Sequence, residues 1–537
     1  MGETKSRFSP GNRRVREQPL ICASCGAASR QYPFSTLGPT GFQEALLSTL
    51  TRNHDIEQWD AEDVAAWEAG GKKIARRNLI WSVIAEHVGF SVWSIWSVMV
   101  LFMPTDKFGI DAAGKFFLVA MPTLVGGILR IPYTVATARF GGRNWTIFSA
   151  LMLLVPTLLT LYFINQPGTS YTTFMVVAAF AGLGGGNFAS SMTNINAFYP
   201  QRLKGWALGM NAGGGNIGVP VIQLIGLLVI ATLGNSYASV VCLVYLAFIA
   251  IAGLGAALYM DNLRNQKADL SNMLESLKVP QSWAIAFLYI GTFGSFIGFS
   301  FAFGQILQIG FKAGGDTAAQ ASLHAAQIAF VGPLLGSLAR PYGGKMADRF
   351  GGSRVTLAGF AGMMVAAVVV AVSSVAADHN GGVASGVTMV ALVCGFIALF
   401  VLSGIGNGSV TKIIPSVFDA KSKSLPVSAG EQAAWSRNTS GALIGFVGAI
   451  GALGGVAINL VLRSSYASTN SATTAFWVFL GFYVVCAIVV WSVFLRRPGM
   501  RSARAESGVV AQAEALVLQA ERSPESDSTP STTSARA

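Results

Sequence analysis

Long apolar stretches recur along most of the chain, and they constrain its fold more than any other feature. Hydrophobic residues make up 52% of the 537 residues and charged residues only 12%, which is typical of a polytopic membrane protein. A helix needs about 20 apolar residues to cross a bilayer. The sequence predicts twelve such helices, near residues 79–103, 116–137, 146–164, 171–198, 205–233, 236–260, 283–311, 320–341, 355–376, 386–411, 438–462 and 475–495. We therefore expect an all-α integral membrane protein.

The longest polar break between the predicted helices is residues 261–282, which divides the helices six and six. We interpret this segment as a cytoplasmic linker. It separates an N-terminal six-helix bundle, residues 79–260, from a C-terminal bundle, residues 283–495. The sequence thus predicts two bundles of equal helix number.

The two ends of the chain read as polar tails. Residues 1–78 predict a cytoplasmic tail, mobile over its first 55 residues. It ends in an amphipathic segment with Trp59 and Trp67 that approaches the membrane surface. Residues 496–537 are rich in Ser, Thr and Pro and predict a disordered cytoplasmic tail.

The net charge of +12 could indicate a nucleic-acid partner, but its distribution indicates a membrane instead. Fourteen Lys and Arg residues lie in the loops after the even-numbered predicted helices, against four in the other loops. Cytoplasmic loops carry the excess of Lys and Arg in membrane proteins. We therefore expect both termini in the cytoplasm, a multi-pass monomer in the cytoplasmic membrane, lipid around it, and no nucleic-acid partner.

Two arginines stand alone within apolar stretches, Arg130 and Arg340. Each is followed nine residues later by a second Arg and Phe-Gly-Gly, at Arg139 and Arg349, so one unit occurs twice, 210 residues apart. Nine helical residues place Arg130 and Arg340 roughly 13 Å from the loop, near the middle of a hydrocarbon layer about 30 Å thick. A charge there is costly and usually faces a cavity and a partner. The paired cations predict an anionic ligand; snorkelling to headgroups or capping of a neighbouring helix are the alternatives.

Glu86 is the only acidic residue within the predicted helices, and His87 follows it. Both would lie well inside the membrane, so they are candidates for proton exchange. The alternative is a structural hydrogen bond between helices.

Glycines recur at four-residue spacing in the fifth predicted helix and at three- or four-residue spacing in the eleventh. Such ridges let another helix approach closely, and their presence in both halves favours a packed surface on which the bundles rock. The residues are Gly205, Gly209, Gly213, Gly214 and Gly218 in the fifth helix, and Gly441, Gly445, Gly448, Gly451 and Gly455 in the eleventh.

The sequence contains no phosphate-binding loop, nucleophile triad or metal cluster, so we expect no enzyme activity and no cofactor. Cys22 and Cys25 form the only Cys-x-x-Cys pair and have no second ligand pair nearby. No metal site is predicted there.

Several motifs resemble the major facilitator superfamily, and within it the nitrate/nitrite porter family. The loop sequence GGKMADRFGGSR resembles the superfamily's loop motif, and the glycine-rich helices resemble the porter family's nitrate signatures. The resemblance extends from residue 57 to about 495 and includes ILRIPY, GNFASSM, GMNAGGGNIG and LYIGTFGSFIGFS. It implies a major facilitator fold of two pseudo-symmetric bundles.

The resemblance also implies a substrate site. In that family one arginine from each half binds the planar anion; the matching positions are Arg130 and Arg340, and a guanidinium is a planar fork suited to two oxygens. Matching aromatic positions, which would sandwich the anion, are Phe188, Tyr289 and Phe293, although each could equally be core packing. Asn216 resembles a family residue that hydrogen-bonds the substrate.

One departure concerns the loop motif, where Ala138 precedes Arg139 but Asp348 precedes Arg349. The two copies would then make unequal gating contacts. A second departure is the Glu86–His87 pair, which has no counterpart in the family's anion site.

The expected function is alternating-access transport of nitrate, nitrite or both. Inward movement of a monoanion opposes an inside-negative potential worth about 2.3 kcal/mol per 100 mV, so a coupled partner is needed. Protons, carried by Glu86 and His87, are the favoured partner and would make nitrate import for assimilation a symport. The alternatives are exchange against nitrite, transport of another anion, and a nitrate sensor without transport.

Overall fold

The computed structural model describes residues 53–166, 168–264 and 270–496. The predicted mobile segment up to residue 52, the Cys22–Cys25 pair and the predicted C-terminal tail from residue 497 lie outside these ranges. The described part is almost entirely helical, as the sequence predicts.

Within the described residues, eleven helices are long and apolar enough to cross a membrane, and a bent pair, Val64–Trp93 with Ile95–Phe102, adds a twelfth span. The fold class expected from the apolar pattern is confirmed. In chain order the helices are α1 Lys72–Trp93, α2 Ala112–Phe140, α3 Gly142–Phe163, α4 Tyr171–Phe198, α5 Arg202–Leu233, α6 Ser239–Tyr259, α7 Pro280–Ala313, α8 Ala318–Phe350, α9 Gly352–His379, α10 Gly386–Ser422, α11 Ala429–Thr469 and α12 Thr473–Leu495.

Most helices extend beyond their predicted bounds. The largest differences are at α8, which continues to Phe350, α10, which continues to Ser422, and α11, which spans Ala429–Thr469. Hydropathy detects only the part of a helix that lies in hydrocarbon, whereas intrahelical hydrogen bonds continue into its polar extension. The N-terminal tail is likewise shorter than predicted, because α1 begins at Lys72 rather than residue 79.

We name the two ends of the helical assembly after the connecting segments that lie there. The linker end carries the segment before α1 and the segment between α6 and α7; the hairpin end carries the connections after α1, α3, α5, α7, α9 and α11. The predicted linker is partly structured: it contains the short helix Leu270–Leu277 and a two-residue strand, β2.

Strand β2, Asn262–Leu263, pairs in parallel with β1, Asp55–Ile56. Beside this pair the buried Asp261 carboxylate accepts hydrogen bonds from Arg77 Nη2 at 2.7 Å and from Asn78 Nδ2 at 2.8 Å. The chain before α1 is therefore tied to the chain after α6, and we call this contact the N-terminal clasp.

Both tryptophans of the expected amphipathic segment pack against the protein. Trp67 is buried and packs edge-on against Tyr199, and Trp59 packs edge-on against Phe198. Because these aromatic partners lie at the linker end of α4, the tryptophans fasten the segment to the protein instead of to lipid.

Candidate substrate site

Arg130 lies in the middle of the molecule and is fully buried. Its Nη1 donates to the Gly448 carbonyl oxygen of α11 at 2.6 Å, and its Nε donates to the Gly185 carbonyl oxygen of α4 at 3.2 Å. These two bonds fix the guanidinium between the two halves of the chain. The remaining nitrogen, Nη2, is buried without a hydrogen-bond partner.

Arg340, from α8, meets the same region from the C-terminal half. Its Nη2 donates to the Tyr289 hydroxyl oxygen at 3.1 Å, whereas Nη1 is buried and has no hydrogen-bond partner. Each arginine thus offers one unpaired N–H group or more, and leaving such a charged donor unpaired costs a few kcal/mol. A ligand with acceptor oxygens would satisfy both.

The three aromatic residues implied by the resemblance lie together at these guanidinium groups. Phe188 touches both, with its ring centroid 4.7 Å from Arg130 Cζ and 5.7 Å from Arg340 Cζ. Phe293 lies 4.8 Å from Arg130 Cζ and stacks on Tyr289 with ring centroids 5.2 Å apart. The rings exclude water from the arginines and leave planar apolar faces beside planar cations.

Local helix geometry explains why these side chains converge. In α7 a π-helical turn covers Ile290–Gly294 and includes Phe293; π-bulges of this kind occur often at functional sites. In α4, Gly185 and Gly186 let α2 approach, since a Cβ on Gly186 would lie 2.6 Å from the Tyr133 ring. Close helix packing therefore brings Arg130 under Phe188.

Charge near the arginines is not balanced by the protein. Arg130 is within electrostatic range of Arg340, Glu86 and the Tyr289 phenol. Two guanidinium cations against one carboxylate leave a net charge of one positive unit when all three are ionised. A monoanion between the arginines would neutralise it.

Glu86 is buried in α1 and bonded to two neighbouring helices. It accepts hydrogen bonds from the Ser191 hydroxyl of α4 and from Asn211 Nδ2 of α5, the latter at 2.6 Å. Its second oxygen, Oε1, is buried without a partner and faces Gly215, where a Cβ would lie only 2.2 Å away. Ser191 also donates to the Phe188 carbonyl at 3.2 Å, so Glu86 is one residue removed from the aromatic cluster.

His87 and Asn216 are placed less directly. His87 Nδ1 lies 3.3 Å from the Gly214 carbonyl oxygen and does not bond to Glu86. Asn216 is fully buried, and neither of its amide atoms has a hydrogen-bond partner, so it contacts neither arginine by a hydrogen bond. A satisfied amide there would need a ligand or another conformation.

The glycine ridge of α5 splits into two faces, which corrects the expectation of one packed surface. Gly214 and Gly218 pack against α1, where Cβ atoms would lie 2.4 Å from Val83 and 2.2 Å from the His87 carbonyl. Nothing lies within 4 Å of a Cβ placed at Gly209 or Gly213. The two sets lie about 140° apart around a helix with 3.6 residues per turn, so they cannot meet the same neighbour.

The ridge of α11, in contrast, is packed along its length, mainly against the arginine helix α2. A Cβ atom would lie 3.1 Å from Thr134 at Gly445, 3.2 Å from Arg130 at Gly448 and 3.0 Å from Thr123 at Gly455. At Gly451 the neighbour is the Tyr289 ring of α7, at 2.5 Å. A side chain at Gly448 or Gly451 would displace a site residue.

Loop-motif residues lie at the linker end. The Asp348 carboxylate pairs with Lys412 Nζ of α10 at 2.9 Å. Arg349 lies over the ring of its neighbour Phe350. The acidic residue thus pairs within the C-terminal half.

Sequence reasoning missed several site residues. Trp93 lies under Arg130, with its ring centroid 5.3 Å from Cζ, and the Gly185 and Gly448 carbonyls bind the guanidinium directly. A tryptophan in an apolar helix and backbone carbonyls give no sequence signal. Ser191 and Asn211 could have been suspected as partners of Glu86, because they are polar residues in predicted spans.

The family model described as the Major Facilitator Superfamily matches residues 87–429. The nitrate/nitrite transporter NarU of Salmonella typhimurium is 36% identical over 461 residues, which cover 82% of this chain and 96% of that protein. The protein belongs to the nitrate/nitrite porter family of the major facilitator superfamily. Its members are membrane transporters and not enzymes, and the chain is a multi-pass cell-membrane protein.

Other relatives differ in the transport that their names describe. The probable nitrate/nitrite antiporter NarK2 of Thermus thermophilus is 29% identical over 460 residues, covering 82% of this chain and 97% of that one. The nitrite extrusion protein of Bacillus subtilis is 28% identical over 392 residues, covering 72% and 87%.

Solved structures of more distant transporters share the fold. The D-xylose-proton symporter matches with a TM-score of 0.56 at 13% identity, covering 79% of this chain and 98% of that one. The nucleoside transporter NupG matches with a TM-score of 0.55 at 14% identity, covering 78% and 100%. At this identity the likeness establishes the architecture alone.

Proposed function

We propose that this protein carries nitrate and nitrite across the cytoplasmic membrane by alternating access, with the anion held between Arg130 and Arg340. The observation that carries the proposal is the pair of unpaired guanidinium nitrogens, Arg130 Nη2 and Arg340 Nη1, beside a shared ring, Phe188. Relatives named as nitrate and nitrite transporters support the choice of anion.

The site suits a small planar anion on three grounds. A guanidinium donates two parallel hydrogen bonds to two oxygens, and the stacked Phe188 and Phe293 rings, 6.2 Å between centroids, flank Arg130 with flat apolar faces. The excess positive charge at the two guanidinium groups favours an anion. A spherical halide would leave part of each fork unpaired.

We further propose that nitrate enters together with protons, with Glu86 as the proton carrier and the linker end in the cytoplasm. The carboxylate is within electrostatic range of both arginines. Protonation removes its negative charge and so strengthens anion binding, and loss of the proton weakens it. Coupling needs this kind of differential affinity between two states.

His87 is a weaker candidate for this task, because its imidazole bonds only to a backbone carbonyl of α5. Exchange of nitrate for nitrite is the second candidate function. It is favoured by the Glu86 hydrogen bonds to Ser191 and Asn211, which give the carboxylate a structural role between helices, and by the relative named as an antiporter.

The test uses purified protein in liposomes loaded with nitrate, nitrite or neither. Glu86→Gln keeps the side-chain shape and cannot exchange a proton. We expect it to lose acceleration of nitrate uptake by an inward proton gradient while nitrate-for-nitrate counterflow continues. Undiminished gradient-driven uptake in Glu86→Gln would exclude Glu86 as the carrier, and a wild type that responds only to internal nitrite would establish exchange.

A further inference from the structure

Lys412 is a charged residue of α10 that the substrate site does not use. It lies in the 37-residue helix Gly386–Ser422, which packs closely against the arginine helix: a Cβ on Gly408 would touch the Arg340 carbonyl oxygen at 2.2 Å, and a Cβ on Gly344 would lie 4.0 Å from Lys412 Cε. Four residues of α8 separate Gly344 from Arg340, or about 6 Å along the axis. Lys412 therefore lies just to the linker side of the site.

The ammonium group also faces the other half of the protein. A Cβ on Gly205 of α5 would lie 3.9 Å from Lys412 Nζ. Gly205 begins a face of α5 that continues through Gly209 and Gly213, where an added Cβ would have no neighbouring atom within 4 Å. Lys412 thus stands at the gap between α5 and the helices α8 and α10.

Lys412 is held by one carboxylate that solvent can reach. Its Nζ lies 2.9 Å from Asp348 Oδ1 and 3.2 Å from Oδ2, and the side chains are 39% and 59% exposed. Ion pairs this exposed contribute little to stability, so the pair can open at small cost. A mobile anion could replace the carboxylate at the ammonium.

We propose that Lys412 forms a second, transient subsite for the transported anion on the path between the arginine pair and the linker end, with Asp348 as the competing internal anion. The proposal rests on the proposed function, because it needs an anion that leaves Arg130 and Arg340. Conduction requires binding sites that also let the ion go. A cation one helical turn away lowers the free-energy barrier that the anion crosses between the buried site and solvent. Asp348 then displaces the anion from Lys412.

Lysine suits this role better than arginine does. Its ammonium is a compact, well-hydrated charge without the rigid fork that fixes two oxygens. It attracts an anion without a bidentate grip. The deeper site has two guanidinium groups, and the outer subsite has a single ammonium group.

The proposal predicts effects on one face of the membrane only. Nitrate counterflow is measured in right-side-out and inside-out vesicles from cells that lack other nitrate carriers, so each face is titrated separately. We expect Lys412→Met to raise the half-saturating nitrate concentration at the linker face about tenfold, equivalent to one charge-assisted contact. The half-saturating concentration at the hairpin face should be unchanged. Lys412→Arg keeps the positive charge, so its half-saturating concentration at the linker face should stay close to that of the wild type.

Asp348→Asn should act in the opposite direction. Without the competing carboxylate the anion stays longer on Lys412, so the half-saturating concentration at the linker face falls and the maximal rate falls with it. Lys345→Met is the matched control: it removes a cation from α8, but this ammonium lies over the Tyr342 ring. It should change neither constant.

Three outcomes would overturn the subsite. Lys412→Met that shifts both faces equally, or neither, would contradict it. If Asp348→Asn has the same effect as Lys412→Met, the ion pair is instead a structural contact within the C-terminal half. Loss of the Asp348→Asn effect in liposomes without anionic lipids would assign Lys412 to anionic lipid headgroups. A wild type that exchanges no nitrate would refute the proposed function itself.

Discussion

The two interfaces between the halves have the same kinds of helices but different packing. In one, the arginine helix α2 packs against the glycine ridge of α11 from Thr123 to Thr134. In the other, the arginine helix α8 meets the glycine helix α5, yet no neighbouring atom lies within 4 Å of a Cβ placed at Gly209 or Gly213. One interface is filled along its length, and the other leaves space beside these two glycines.

The hairpin end explains how the open interface is compatible with a stable molecule. There Gln305 Nε2 of α7 donates to the Ala112 carbonyl oxygen at 2.8 Å, and Ser322 of α8 and Gln308 of α7 donate to the Leu101 carbonyl oxygen at 2.8 and 3.1 Å. These bonds join the two halves. The two halves are therefore joined at the hairpin end, while space remains beside Gly209 and Gly213 of α5 for a larger movement.

The two arginines differ in the same way as their interfaces. Arg130 is bound by two backbone carbonyls from opposite halves, whereas Arg340 is bound by one phenol of its own half. Arg130 thus supports the packing of the halves as well as the site. Arg340 is bound within its own half and contributes less to holding the two halves together.

The largest expected effect separates these two roles. Arg130→Lys and Arg340→Lys should each reduce nitrate uptake by more than about a hundredfold, because the loss of a bidentate, charge-assisted contact costs about 1.5–3 kcal/mol per hydrogen bond. Only Arg130→Lys should also lower thermal stability, since the Gly185 and Gly448 carbonyls lose donors. Uptake assays with thermal unfolding of the same preparations measure both. Near-normal uptake by either variant would show that its arginine is not a direct ligand.

A smaller effect is expected when a large side chain replaces a glycine of either ridge. Gly451→Leu should impair nitrate binding and transport together, because its Cβ meets the Tyr289 ring at 2.5 Å and overpacking costs about 1–3 kcal/mol. Gly209→Leu has free space and should bind nitrate normally. It should transport poorly, because α5 has to close against α8 in the opposite state.

Nitrate binding and counterflow are measured side by side for the two variants. Ala433→Leu, at the exposed linker end of α11, is the control for added bulk and should leave both unchanged. Normal counterflow by Gly209→Leu would mean that the open face of α5 never closes, and the comparison of the interfaces would then describe a fixed asymmetry.

The smallest effect concerns the N-terminal clasp. Hydrogen bonds from Asn262 and from Arg264, which also pairs with it at 2.7 Å, lower the pKa of Asp55. A lowered folded-state pKa stabilises the clasp above the unfolded pKa, about 3.9, and this contribution is lost as the pH falls through the folded value. The groups are partly exposed, so the effect is a few tenths of a kcal/mol.

Hydrogen exchange of residues 55–63 reports this contact. The protection factors, which correct for the intrinsic pH dependence of amide exchange, should fall below about pH 4 in the wild type, and Asp55→Asn should have lower protection factors at neutral pH and lose part of their pH dependence. An identical pH profile in both proteins would remove Asp55 from the clasp.

The difference between the interfaces also marks what the sequence could predict. Twelve spans follow from apolar length, and the isolated Arg130 and Arg340 follow from the cost of a charge in hydrocarbon. The register of the glycine ridges does not follow. Gly209 and Gly214 have the same chemistry and differ only in which neighbour the helix meets, and that depends on the conformational state.

Other features lacked a local signal altogether. The π-helical turn that aims Phe293 at Arg130 depends on packing against α11, where Gly294 and Gly454 approach. The N-terminal clasp pairs residues that are between 183 and 207 positions apart. Trp67 had a sequence signal that fitted two structures. Its amphipathic segment suits a membrane surface and a protein surface equally, and only the contact with the Tyr199 ring shows that Trp67 packs on the protein.

The most direct test of the account is calorimetric titration of the purified protein with nitrate. We expect one high-affinity site per chain, at the arginine pair, with competition by nitrite, little competition by chloride, and no detectable binding at this site in folded Arg340→Lys. Chloride or formate that binds as tightly as nitrate would contradict the planar-anion site, and nitrate binding retained by Arg340→Lys would contradict the arginine pair.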